Sequence, residues 1–257
     1  MKLPDILPRE TLALELCGVS RHFGALVAVS EVSLQVRNAE RRAILGSNGA
    51  GKTTLFNLIT GDFPVTNGTI AFMNEDITAT PAKHRIRRGL RRTYQISLLF
   101  QNLTVRENVY LACQGVAGKR FSLARPKRHD AQMAMSDRLI EQVHLTDVID
   151  TPVETLSHGQ QRQLEIALAL AGDPKFVLFD EPAAGLSPAE RTDLIEILSN
   201  LPADIGFIII EHDMDVALRV SESVTMMHNG RVFKEGTPEE IENDAEVQAL
   251  YLGQAHG

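Results

Sequence analysis

The sequence predicts an α/β fold with a mainly parallel sheet covered on both faces by helices. The runs Phe176–Phe179, Phe207–Ile210 and Ser223–Met227 are almost continuously apolar rather than alternating with polar residues, as in strands buried on both sides. Helical stretches at 188–200 and 213–221 separate them, and strands alternating with helices signal parallel connections. Upstream, Gly46–Thr53 reads GSNGAGKT and fits G-x-x-x-x-G-K-[ST]. Ala43-Ile44-Leu45 leads into it as a short strand, and Leu55, Leu58 and Ile59 follow at helical spacing with Gly61 as a stop. Strand, glycine loop and helix is the order a phosphate-binding loop requires.

Taken in chain order, residues 12–37 read as β-structure, with Val32, Leu34 and Val36 alternating as in a half-buried strand. In the loop, glycines permit tight turns and leave amides facing an anion, which then sits at a helix N-terminus. Lys52 supplies a cation for the β/γ-phosphates and the Thr53 hydroxyl a Mg²⁺ ligand. The candidate nucleotide contacts are Gly46, Ser47, Asn48, Gly49, Ala50, Gly51, Lys52, Thr53 and Thr54.

TIAFMN at 69–74 follows a turn-like Thr66-Asn67-Gly68 and reads as a further strand. The run 81–92 holds Arg85, Arg87, Arg88, Arg91 and Arg92, and a weaker basic cluster spans 119–129. Such runs usually form a solvated surface; the functional reading is contact with an acidic partner or lipid head groups. From about 104 to 145 the pattern is helical and polar, and 118–129 is expected to be a mobile insertion. After the strand at 176–179 come Asp180 and Glu181, at the sheet edge where such folds bind ligands. Asp180 is the candidate Mg²⁺ ligand and Glu181 the candidate group to polarise a water. Thr237, Pro238 and Glu240 form a capping box that opens the last helices.

Composition sets limits. The chain has 257 residues, 44% of them hydrophobic and 23% charged, as expected of a globular domain. No apolar run approaches the roughly 18 residues needed to cross a bilayer. MKLPDILPRE at the N-terminus lacks the apolar stretch of a secretory signal. A net charge of −7 argues against nucleic acid as a main partner. Cys17 and Cys113 are too few for a disulfide framework and are expected to be small buried residues.

LSHGQQRQLEIALAL at 156–170 resembles the signature segment of ATP-binding-cassette ATPases. Gln95 in RRTYQ lies where that family has its Q-loop glutamine, Ala184-Gly185-Leu186-Ser187 where it has the D-loop, and His212 in IIIEHDM where it has the H-loop. Phe23 in RHFGALVAV matches the aromatic that stacks on adenine. The resemblance covers essentially the whole chain. It implies a single cassette domain over 1–257. Residues 1–95 and 171–257 would form a P-loop core with an antiparallel β part, and 96–170 a helical subdomain carrying the signature.

It further implies that two cassettes face head to tail, each ATP lying between one P-loop and the partner's signature. Ser157, Gly159 and Gln160 would then reach the γ-phosphate on the other subunit. Glu181 would act as general base, His212 would couple it to the γ-phosphate, and Gln95 would sense Mg²⁺ and water. His158 departs from the commoner glycine and Ser187 from the commoner aspartate. Activity is expected to survive both: His158 by pointing outward, Ser187 by hydrogen bonding across the dimer.

Within the family, RTYQISLLFQNLTVRENV (92–109), DEPAAGLSP (180–188) and the ending EGTPEEIENDAEVQALYLG (235–253) resemble the ATP-binding subunits of branched-chain amino acid uptake systems. ATPases of urea-type uptake and lipopolysaccharide export share parts of the pattern. The implied partners are a second cassette, separate membrane-spanning permeases and, indirectly, a solute-binding protein. The implied location is the cytoplasmic face of the membrane, with the basic residues at 85–92 near it.

Overall fold

The computed structural model describes residues 11–93, 99–116 and 131–252. β1 (Leu12–Phe23) and β2 (Leu26–Arg37) form an antiparallel hairpin. β1 also pairs antiparallel with β4 (Asn67–Phe72), which pairs with the short β5 (Glu75–Asp76). The second sheet has six strands. β3 (Arg41–Leu45), β6 (Leu90–Arg92), β7 (Phe176–Asp180), β8 (Gly206–Ile210) and β9 (Ser223–His228) run parallel, and β10 (Arg231–Gly236) is antiparallel on the β9 edge. The expected α/β architecture is present, with an antiparallel sheet beside it.

The six-stranded sheet sorts its residues by parity. Ile44, Phe176, Leu178, Ile208 and Ile210 face one side, where α1 (Lys52–Thr60) contributes Leu55, Phe56, Leu58 and Ile59, and the antiparallel sheet adds Leu14, Leu16, Val32 and Leu34. Ala43, Leu45, Val177, Phe179, Phe207 and Ile209 face the other side. There they meet α5 (His158–Leu170), α6 (Pro188–Ser199) and α7 (Met214–Val220). Every residue of β7 and β8 is buried, which is why these strands read as unbroken apolar runs. Each such Phe, Ile or Leu contributes roughly 1.5–3 kcal/mol.

α3 (Val105–Val116), α4 (Ala131–Gln142) and α5 pack on one another as a helical cluster. α2 (Ala82–Arg87) precedes β6, while α8 (Pro238–Glu242) and α9 (Ala245–Leu252) close the chain. The expected capping box is formed: Glu240 N–H donates to Thr237 Oγ1 at 3.2 Å, and Thr237 N–H to Glu240 Oε2 at 2.8 Å.

Three expectations change. Cys17 is exposed, not buried. It shares the outward face of β1 with Glu15, while Leu14 and Leu16 point inward, so period two decides against its apolar character. The strand expected at 69–74 is shifted to 67–72, because Met73 and Asn74 turn back with φ of 49° and 62°. The basic run at 81–92 is not a solvated face throughout. Arg85 is 2% exposed and donates to Leu58 O, Ile59 O, Thr78 O and Thr80 O. It thereby takes up carbonyls at the C-terminal end of α1. Burial lowers its pKa to about 10, so it stays charged at neutral pH. Arg92 is turned inward too, leaving Arg87 and Arg88 as the exposed arginines of the run. The second basic cluster, with the 118–129 stretch, lies outside the described residues.

Candidate nucleotide site

The carboxyl edge of the six-stranded sheet collects the sequence-predicted groups. β3 runs into the glycine loop, whose backbone is folded against its neighbours. A Cβ on Gly46 would lie 2.3 Å from Met227 O, and one on Gly51 would lie 2.5 Å from Ala28 O. Both positions have φ in the left-handed half, 154° and 97°, so glycine is required twice over. The turn after β9 braces the loop from outside: Gly230 N–H donates to Ala50 O at 3.0 Å, and Ser30 N–H to Gly230 O at 2.8 Å. α1 starts at Gly51 with no side-chain cap and no acidic residue in its first turn, which leaves its orphan amides to an incoming anion.

Lys52 is 5% exposed, and its ammonium donates to Gly46 O at 2.7 Å and Ser47 O at 3.1 Å. Burial lowers its pKa, opposed by the charges of Glu181 and Asp180. The loop residues 48–54, Glu181 and His212 line one open cleft of about 500 Å³. Leu26, Val27, Ala28, Asn229 and Gly230 complete its wall. These five went unnoticed in the sequence, where nothing separates these turns from any other.

Asp180 and Glu181 end β7. The Asp180 side chain is 0% exposed, and burial pushes its pKa up, while a hydrogen bond from Arg92 and the Arg92 charge pull it down. Its Oδ1 is buried and has no hydrogen-bond partner among the described residues. An orphaned buried carboxylate oxygen is a fit for a cation. Among the described residues no group of three or more His, Cys, Asp or Glu converges as a metal cage. That suits Mg²⁺, which takes one or two carboxylates and completes its shell with phosphate and water.

Glu181 adopts φ 50°, a left-handed conformation unusual for a non-glycine. Its N–H donates to Ile210 O at 2.9 Å. That twist aims the carboxylate across to β8's continuation, where His212 Nε2 donates to Glu181 Oε1 at 2.8 Å. Glu211, between β8 and His212, is 2% exposed. It accepts from Ala183 N–H at 2.7 Å and from His212 N–H at 3.2 Å. Burial raises its pKa to about 7, with the two amides opposing. Nothing in the run IIIEHDM marks it as buried, since its partners are the Ala183 and His212 amides.

The structure does not bring the remaining candidates to this cleft. Ser157, Gly159 and Gln160 line a separate cavity of about 380 Å³ with Leu186 and Glu190. Ser157 caps α5 by a box with Gln160: Gln160 N–H to Ser157 Oγ at 3.2 Å, Ser157 N–H to Gln160 Oε1 at 2.9 Å. Ser187 caps α6 in the same manner with Glu190, its N–H donating to Oε2 at 2.9 Å and its hydroxyl at 2.8 Å. Gly159 N–H donates to Glu190 Oε1 at 3.2 Å. The Ser187 hydrogen bonds hold the Glu190 carboxyl below its usual range, helped by the Gly159 amide and the His158 charge. His158 is exposed, with its ring edge 3.1 Å from where a Gly185 Cβ would be. The two departures from the commoner motifs therefore meet in one place, where His158 faces the D-loop and Ser187 anchors Glu190.

Phe23 sits at the tip of the β1–β2 hairpin, 40% exposed, edge-on to Phe63 at 5.5 Å and 4.6 Å from the Arg21 guanidinium. It does not line the loop cleft, whose wall beside it is Leu26–Ala28. Gln95 lies outside the described residues.

A polyphosphate is the ligand this edge of the sheet is built for: its backbone amides, uncapped helix and buried lysine match successive anionic oxygens. In class the chain is thus a P-loop nucleotide hydrolase. Residues 29–184 match the ABC transporter family, and the chain belongs to that family as an ATP-binding, ATP-hydrolysing subunit. It is 37% identical over 246 residues to the high-affinity branched-chain amino acid transport ATP-binding protein LivG of Salmonella typhimurium, covering 93% of this chain and 96% of that protein. It is 35% identical over 251 residues to the lipopolysaccharide export system ATP-binding protein LptB of Haemophilus influenzae, covering 97% and 98%. A crystal structure of a nucleotide-free ATP-binding cassette from an ABC transporter superposes with a TM-score of 0.82 at 30% identity, covering 93% of this chain and 98% of that one. An ATP-binding cassette of an ABC transporter that is 29% identical has been solved in its ADP conformation, and a cassette that is 27% identical is part of the ABC transporter complex cbiONQ. No helix among the described residues is long and apolar enough to cross a membrane.

Proposed function

We propose that this chain powers the uptake of branched-chain or related amino acids, hydrolysing ATP at the cytoplasmic face of the membrane on behalf of separate permease subunits. The likeness to LivG supports the substrate class, as do the segments 92–109, 180–188 and 235–253. Lipopolysaccharide export is the second reading, favoured by the match to LptB over 97% of this chain. Reconstitution with the permeases that co-purify decides between them. Stimulation of ATP turnover by a solute-binding protein loaded with leucine, isoleucine or valine supports uptake; stimulation by lipopolysaccharide alone overturns it.

The observation that carries the mechanism is the Glu181–His212 pair, 2.8 Å apart at the cleft that holds Lys52. Residues 46–54 would cradle the triphosphate, and Phe23 would lie against adenine. Lys52 would exchange its bonds to Gly46 O and Ser47 O for phosphate oxygens. Thr53, Asp180 and Gln95 would hold Mg²⁺, which supplies charge neutralisation to the phosphates when bound. Glu181 takes a proton from water as the water oxygen bonds to the γ-phosphorus, and the bond to the bridging oxygen breaks to leave ADP and phosphate. His212 keeps Glu181 in the orientation its φ of 50° begins to set. Ser157, Gly159 and Gln160 would serve the ATP on the other subunit.

Glu181→Gln keeps size and the contact to His212 but removes the base. Hydrolysis is expected to fall by at least about 10²-fold, with an ATP-bound dimer accumulating on size-exclusion chromatography. Turnover at the wild-type rate would remove Glu181 from this role.

A further inference from the structure

Arg92 belongs to a run of arginines that reads as surface, yet its side chain is 4% exposed and meets the fully buried Asp180. Nη2 donates to Asp180 Oδ2 at 2.7 Å. The next residue secures the same aspartate through the main chain: Asp180 N–H donates to Thr93 Oγ1 at 3.0 Å, and Thr93 N–H to Leu178 O at 2.9 Å. From its other amino group, Arg92 donates to Asn57 Oδ1 in α1 and to Asp62 Oδ2. The guanidinium lies 5.7 Å from the Phe56 ring, so its plane is packed as well as bonded. One rigid fork therefore joins the end of β7 to the helix that leaves the phosphate loop. Of the two carboxylate oxygens of Asp180, Arg92 takes Oδ2, and Oδ1 stays buried with no partner among the described residues.

We propose that Arg92 is a positioning residue for the metal that accompanies ATP: it fixes Asp180 by Oδ2 and so presents Oδ1. Asn57 carries that geometry to the phosphate-loop helix. The proposal rests on the reading of Asp180 as a Mg²⁺ ligand. The physical need is specific to arginine. Without Arg92, a carboxylate at this depth would lose its hydrogen-bonded countercharge and the contact that tells its two oxygens apart, leaving only the charge of Lys52 nearby. Lysine, a point charge on a flexible stem, restores the countercharge but cannot grip the carboxylate and the Asn57 amide oxygen in one plane.

The test uses the full-length chain and a fluorescent ATP analogue, bound first in chelator and then under a Mg²⁺ titration. Arg92→Gln is expected to raise the half-saturating Mg²⁺ by about tenfold or more, the usual cost of losing an outer-shell partner. Affinity in chelator should stay within about twofold. Arg92→Lys should recover part of the loss, and Asn57→Ala should shift the Mg²⁺ midpoint by about threefold. If Arg92→Gln does not fold, the Lys and Asn57 variants carry the same reading. A merely structural role would weaken binding equally with and without Mg²⁺, and that outcome overturns the proposal. So does an unmoved Mg²⁺ midpoint in the folded Arg92 and Asn57 variants while Asp180→Asn moves it. A midpoint unmoved in Asp180→Asn instead overturns the metal-ligand reading beneath.

Discussion

The phosphate-loop half and the signature half of this chain each present a helix N-terminus, and they treat it in opposite ways. α1 begins at Gly51 without a side-chain cap and with a buried lysine beside it. α5 and α6 begin with complete capping boxes, Ser157 with Gln160 and Ser187 with Glu190, and the Gly159 amide is held by Glu190. A helix that must hold a foreign anion cannot use its own side chain for the same amides. A helix that satisfies itself can still contribute from the flank: the Ser157 hydroxyl accepts from the Gln160 amide and keeps its proton to donate, whereas that of Ser187 is given to Glu190. The first half is thus open to an anion in isolation; under the head-to-tail pairing proposed above, the second would acquire its task only when another subunit's nucleotide arrives.

Glu211 lies between the halves and offers the largest break in that comparison. Its carboxyl is raised to about 7 in the fold from an ordinary 4.5. The native state therefore binds this proton more tightly than the unfolded chain, and the Glu211 contribution to stability is fully present below about pH 4.5 and lost as pH rises through about 7. The contribution is of the order of 3 kcal/mol. Glu211→Gln keeps an acceptor for the Ala183 amide without the titration. Its unfolding free energy should be flat between pH 5 and 8 relative to the wild type; parallel profiles would show that Glu211 does not titrate in this window.

Next in size is Lys52→Ala. Removing the loop's cation should weaken ATP binding by on the order of 100-fold, about 2.7 kcal/mol, while the thermal midpoint stays close to wild type. Equal affinity by calorimetry would dissolve the distinction between a prepared half and a self-satisfied one. The smallest effect sharpens the other side. Glu190→Gln preserves the capping box, since Gln serves at that position, but withdraws a negative charge from the Gly159 amide. In a Glu181→Gln background the ATP concentration for half-dimerisation should fall by about threefold. An unchanged or higher concentration would mean that Glu190 does not compete with the phosphate.

The legible parts of this molecule were those whose chemistry is local. GSNGAGKT needs its glycines because the loop turns on itself, and β7 and β8 are apolar because both faces are covered, so each could be read within a few residues. Arg85, Arg92 and Glu211 were illegible for the opposite reason. Each is justified by a partner distant in the chain: the carbonyls ending α1, the carboxylate ending β7, and the Ala183 amide, respectively. Nothing local distinguishes Arg85 or Arg92 from Arg87 or Arg88, which are exposed. Cys17 erred the other way, its apolar character outweighed by the strand parity that sets it beside Glu15. Glu190 shows a limit of motif reading: its box with Ser187 obeys the capping pattern, but its second bond, to Gly159, crosses from one motif to another.

The Arg85 clamp has a kinematic meaning. Four carbonyls, two at the end of α1 and two in the segment after β5, share one guanidinium. The phosphate-loop helix is thus bolted at its far end to the antiparallel sheet, whose hairpin tip carries Phe23 and whose β2 residues Leu26–Ala28 wall the cleft. Pulling the far end of α1 away from that segment would cost at least two of these hydrogen bonds at once.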